Sequence, residues 1–104
     1  MIGAEAFAAM KPTAVLVNVA RGGLVDTEAL IHALDLEQIK GAALDVFEEE
    51  PLPAESPLWE TDNLFISPHK AGMGDSWKGF IGDLIMRNID HFKNGEEPEN
   101  LIRI

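Results

Sequence analysis

Hydrophobic and polar positions along the chain alternate between two textures, short apolar runs and helical periodicity. Ala14-Val15-Leu16-Val17-Asn18-Val19 is rich in β-branched residues and lacks polar alternation, the pattern of a strand covered on both faces, as in a parallel sheet. Arg21-Gly22-Gly23 ends it. Asp26 then stands as an N-cap, and Leu30, Ile31, Ala33 and Leu34 recur at helical spacing, which predicts a helix from about Thr27 to Leu36. Gly41 to Phe47 is a second buried-strand pattern, so the order strand, helix, strand predicts a βαβ unit and a parallel sheet. Leu64-Phe65-Ile66-Ser67 predicts a third short strand ahead of Pro68-His69.

The flanks complete the pattern. Ala4 to Met10 reads as a short helix that stops at Lys11-Pro12, because proline disfavours helical geometry in the residue before it. Glu48 to Asn63 holds Pro51, Pro53 and Pro57 and reads as irregular chain, supporting neither a helix nor a central strand. Beyond Gly72 and Gly74, the positions Phe80, Ile81, Leu84, Ile85, Ile89 and Phe92 describe a long amphipathic helix, with a C-cap signal at Asn94-Gly95. Trp77 reads as packing for that helix. No internal repeat is present.

Composition narrows the functional classes. At 104 residues the chain is one domain at most, and 46% apolar content describes an ordinary globular sequence. Eighteen acids against eight bases leave a formal charge of −10. That charge speaks against nucleic acid and anionic membrane as partners, while one local base can still hold a small anion. Without cysteine there is no disulfide framework, thiolate nucleophile or cysteine metal site, which suits a cytoplasmic location. No stretch approaches the ~20 apolar residues of a membrane span. The opening Met1 to Pro12 lacks the basic-then-apolar order of a signal peptide.

Candidate chemistry collects after the strands. In an open parallel sheet, ligands bind beyond the carboxyl ends of the strands, where loops converge. Arg21 follows the first strand, Asp45 closes the second and His69 follows the third. Arg21 reads equally as a surface ion-pair partner. Asp45, inside an apolar run, needs a partner because an unpaired buried carboxylate is costly; its plainer reading is a loop-capping acceptor. His69 suits general acid/base work, and one of Glu48, Glu49 and Glu50 would be the carboxylate beside it. Among these three, only Glu50 is restrained, by Pro51. His32 and His91 read as structural or exposed, and their spacing supports no metal site.

Taken together, Val17-Asn18-Val19-Ala20-Arg21-Gly22-Gly23-Leu24-Val25-Asp26, Gly41 to Phe47 with Glu50-Pro51-Leu52-Pro53, Ser56-Pro57-Leu58-Trp59 and Ser67-Pro68-His69-Lys70-Ala71-Gly72 resemble the D-isomer-specific 2-hydroxyacid dehydrogenases. The resemblance runs almost the whole length. It implies an α/β fold, a partial Rossmann-type parallel sheet of about three strands with flanking helices and a long C-terminal helix. Residues 1–74 would be the C-terminal portion of a dinucleotide-binding domain, and 75–104 a helix and tail returning to a substrate domain.

The resemblance also implies roles: Arg21 binds the 2-oxo acid carboxylate, His69 is the acid/base, and Glu50 is its carboxylate partner. Asp45 would hydrogen-bond the nicotinamide carboxamide of NAD or NADP. Val19, Ala20, Arg21, His69, Ala71 and Gly72 would border the cofactor, with Asn18 a structural residue of the turn. No metal is implied. The Gly-x-Gly-x-x-Gly phosphate loop is missing from the sequence, so the chain is expected to be a fragment whose upstream half completes the enzyme. The full-length parent is expected to be a homodimer and the fragment alone inactive. The competing expectations are a corepressor-like nucleotide-sensing module and a functionless remnant that self-associates through an exposed sheet edge.

Overall fold

The computed structural model describes residues 1–74 and 77–102, with Trp77 and Lys78 described by backbone alone, so the expectation for the Trp77 side chain lies outside the described residues. The chain divides into two compact units, Met1–Ala71 and Gly72–Ile104.

In the first unit, α1 (Ala4–Ala8) precedes β1 (Val15–Asn18), α2 (Thr27–Asp35), β2 (Gly41–Leu44) and β3 (Leu64–Ile66). The three strands form one sheet in the order β1-β2-β3, all parallel. Residues Asn18, Leu44 and Ile66 lie side by side in the register, so all three strands end at one level. This alignment puts the three following loops at a single edge.

Local chemistry explains the crossover helix. Asp26 caps α2 by accepting the Ala29 backbone N–H at 2.9 Å, satisfying one of the donors a helix N-terminus leaves free. Leu30, Ala33 and Leu34 fall on one stripe and are buried. They join Phe7 of α1, Ile39 and the β2 residues Ala42 and Leu44 in the core, with Leu16, Leu64 and Ile66 packed against it. Full burial of a side chain such as Leu30 stabilises the fold by about 1.5–3 kcal/mol. The N-terminal segment is tied on by Ile2, whose N–H and C=O bond Leu24 O and Asp26 N at 2.8 and 2.9 Å.

Two expectations need correction. The strands are covered on one face only: Val15, Val17 and Phe65, which point to the other, are 57%, 61% and 67% exposed. One crossover helix supplies one layer, and a doubly wound sheet needs further βα units for its second. Between Glu48 and Asn63 the chain also forms a 3-10 turn, Pro57–Glu60, where irregular chain was expected. Proline there sits in the first turn, where its missing N–H costs nothing, and Ser56 caps the turn by accepting from Leu58 N.

The second unit is α3 (Trp77–Asn94) and the segment after it. Gly95, at φ +71°, terminates the helix in the left-handed conformation that the Asn94-Gly95 signal predicts. Arg87 then holds Glu99 in a two-point ion pair, Nε to Oε1 at 2.9 Å and Nη2 to Oε2 at 3.2 Å, folding the segment back along the helix. Phe80, Ile85, Met86 and Phe92 are exposed. Among the described residues no helix is long and apolar enough to cross a membrane.

Candidate active site at the carboxyl ends of the strands

The loop after β1 is shaped by Asn18. This residue is buried, and its side chain donates to Arg21 O at 2.9 Å and accepts from Ala20 N at 3.1 Å, closing the turn as the structural reading of Asn18 expects. Gly22 presses this turn against the next loop. A β-carbon on it would overlap the Phe47 carbonyl and the Glu48 nitrogen, so only glycine permits the approach. Arg21 is exposed, with Nη1 donating to its neighbour's carbonyl, Ala20 O, at 2.6 Å.

Asp45 follows β2 and is almost fully buried, at 3% exposure. Its carboxylate takes three donors: Oδ1 accepts from Ser67 Oγ at 2.5 Å and Lys70 N at 2.9 Å, and Oδ2 accepts from Ala71 N at 2.8 Å. These bonds, Ser67 foremost, hold its carboxyl below the ordinary range, against the opposing pull of burial.

Glu50 and His69 come together. His69 Nδ1 lies 2.7 Å from Glu50 Oε2, while Glu50 Oε1 accepts the Phe47 N–H at 2.9 Å, which fixes the carboxylate at both ends. The bond from His69, then that from Phe47, lowers the Glu50 carboxyl below its usual range, and Arg21 adds a smaller favourable field. A carboxylate on Nδ1 selects the tautomer with hydrogen there. Nε2 then has no hydrogen-bond partner among the described residues, on a side chain about half exposed. Beside the pair opens a cavity of about 670 Å³, walled by Phe47, Leu52, Trp59 and Ile66. Trp59 is pinned there by its indole N–H, which donates to Pro53 O at 2.8 Å.

Of the residues singled out from the sequence, His69 and Glu50 meet directly. Arg21 stands close enough to influence Glu50, yet among the described residues no hydrogen bond or ion pair joins the two. His91 bonds Glu97 O through Nδ1 at 2.8 Å, His32 is exposed, and among the described residues no cluster of acids and histidines is arranged to hold a metal. Ser67 and Gly22 were missed as contributors. A signal for Ser67 existed: a buried acid after one strand calls for a donor after the neighbouring strand, and parallel register puts Ser67 opposite Asp45. Gly22 carried none, because a close approach between loops depends on their path in space.

A parallel sheet with polar side chains gathered beyond the carboxyl ends of its strands is the layout in which open α/β domains bind their ligands. Residues 1–71 match the family described as D-isomer specific 2-hydroxyacid dehydrogenase, NAD binding domain. A glyoxylate reductase from Thermococcus onnurineus is 48% identical over 98% of the chain, which spans 30% of that relative. The structure of a D-isomer specific 2-hydroxyacid dehydrogenase from Xanthobacter autotrophicus, in complex with NADPH and MES, superposes with a TM-score of 0.85 at 41% identity. It covers 98% of this chain and 41% of its own. D-lactate dehydrogenase with NAD+ from Lactobacillus jensenii gives 0.81 at 32% identity, over 99% of this chain and 35% of its own.

The chain therefore belongs to the D-isomer specific 2-hydroxyacid dehydrogenase family, through its NAD-binding domain. It spans about a third of the length of the curated relatives it matches.

Proposed function

We propose that this chain is the acid/base portion of an NAD(P)-dependent oxidoreductase interconverting 2-oxo acids and D-2-hydroxy acids. The His69–Glu50 pair carries the reading: Nδ1 is held at 2.7 Å by the carboxylate and Nε2 is open. Reduced nicotinamide, when bound, is the source of hydride. His69 gives a proton from Nε2 to the substrate carbonyl oxygen during reduction and takes the hydroxyl proton in the reverse direction. Glu50 keeps the ring oriented through its contact with Nδ1. Arg21 grips the substrate carboxylate, for which a planar two-point donor is better suited than a lysine, after its guanidinium leaves the Ala20 carbonyl.

The residues present fit one end of the cofactor. The backbone of Val19, Ala20, Ala71 and Gly72 would border the nicotinamide with Arg21 and His69, and Asp45 would accept from the carboxamide at Oδ2, which carries one donor where Oδ1 carries two. They do not fit the diphosphate. The N-terminus of α2 is occupied by the Asp26 carboxylate, which repels phosphate. The phosphate loop and the substrate domain are assigned to the two-thirds of the relatives outside the match, and the whole enzyme to a cytoplasmic homodimer.

Alone, the 104-residue chain is expected to turn over neither glyoxylate, hydroxypyruvate nor pyruvate with NADH. A chain extended upstream should do so. Turnover that persists in the extended chain after His69→Ala overturns the assignment.

A further inference from the structure

His69 is a demanding residue to place. Its φ of +51° lies in the left-handed region, which L side chains adopt uncommonly and at a cost. The Glu50 bond orients the ring but does not hold the backbone. That task falls to Asp45. Its carbonyl accepts the His69 N–H at 2.9 Å, shared with Ser67 O at 3.1 Å. Its carboxylate grips the loop on both sides: Ser67 two residues before the histidine, and Lys70 and Ala71 after it. One buried residue thus contacts four of the five positions from 67 to 71.

We infer that Asp45, working with the Ser67 hydroxyl, is a positioning residue that sets the His69 backbone so that Nδ1 meets Glu50 and Nε2 stays free. This rests on the reading of His69 as the acid/base. It adds to Asp45 a task separate from any contact with cofactor. An amide could not replace the acid: asparagine has one acceptor oxygen, and its NH2 would face either the Ser67 and Lys70 donors or the Ala71 N–H. Ser67 follows β3 directly opposite Asp45, with its own N–H on Leu44 O at 2.9 Å, so its hydroxyl reaches the acid without loop movement.

The test is nitrogen-15 NMR of the histidine rings in the 104-residue chain, at a pH where the imidazoles are neutral. Exposed His32 serves as the internal reference. The native chain should show His69 predominantly as the Nδ1–H tautomer. Ser67→Ala should lose that preference and move toward the Nε2–H form usual in water, with His32 unchanged and the circular dichroism of the fold retained. Ser67→Thr, which keeps the hydroxyl, should restore it. Asp45→Asn should lose it as well; if that variant fails to fold, Ser67→Ala decides. Native tautomer ratios in Ser67→Ala overturn the positioning role while leaving the acid/base reading intact. Absence of the Nδ1–H preference in the native chain overturns both.

Discussion

Gly22 lies against the Phe47 carbonyl so closely that no side chain fits between them. The contact joins the turn carrying Arg21 to the loop carrying Glu50, whose Oε1 in turn holds the Phe47 N–H. Gly22→Ala must therefore spread the two loops. Overpacking of this kind costs about 1–3 kcal/mol, to be read from urea unfolding. The same variant should weaken the Glu50–His69 bond, and unchanged His69 ring resonances would show that the loops are not coupled.

Activity should follow the imidazole pair. In a chain extended to include the relatives' upstream portion, His69→Ala should lower kcat by about 10²–10⁴-fold, the usual contribution of a positioned acid/base. Glu50→Gln should cost less, because the ring remains and loses only the carboxylate that orients it at Nδ1. Arg21→Lys should act mainly on KM for the 2-oxo acid, since a point charge replaces a two-point donor. Steady-state kinetics with glyoxylate and NADH separates these outcomes.

Acid should destabilise the fold through the same loops. Glu50 and Asp45 have folded carboxyls below their ordinary values of 4.5 and 3.8, Glu50 chiefly through its hydrogen bond with His69 and Asp45 chiefly through that from Ser67. The unfolded chain therefore binds protons at a higher pH than the folded one, and in that window stability rises with pH. The contribution is complete above about 4.5 and disappears as pH falls through the folded values. Melting temperature against pH should flatten in Glu50→Gln over this interval. An unaltered acid limb would remove Glu50 from the account.

The core makes a separate prediction. Leu30 is fully buried on α2 among residues from both helices and the sheet, so Leu30→Ala should cost about 2–5 kcal/mol by lost transfer energy and the cavity left behind. Denaturant titration of the chain measures it. His32→Ala, on the exposed side of the same helix, should change stability by less than about 0.5 kcal/mol.

Much of this protein was legible before any coordinates. The three strand segments, the α2 cap at Asp26 and the stop at Gly95 follow from local rules, because a β-branched run, an N-terminal acceptor and a residue able to take positive φ act within a few positions of themselves. The three residues after the strands could also be found, since strand ends in a parallel sheet share an edge. What sequence could not decide depends on distances between segments far apart in the chain. Residue types alone left Glu48, Glu49 and Glu50 open as the carboxylate for His69, and only the resemblance singled out Glu50; the contact itself, across 19 positions, depends on the path of the Phe47–Pro51 loop. The three donors on Asp45 and the tight fit at Gly22 depend on loop packing, as does the orientation of Arg21 toward Ala20. The bare sheet face is likewise a tertiary fact: an apolar run states that a strand seeks cover, and only the arrangement of helices decides whether this chain supplies it.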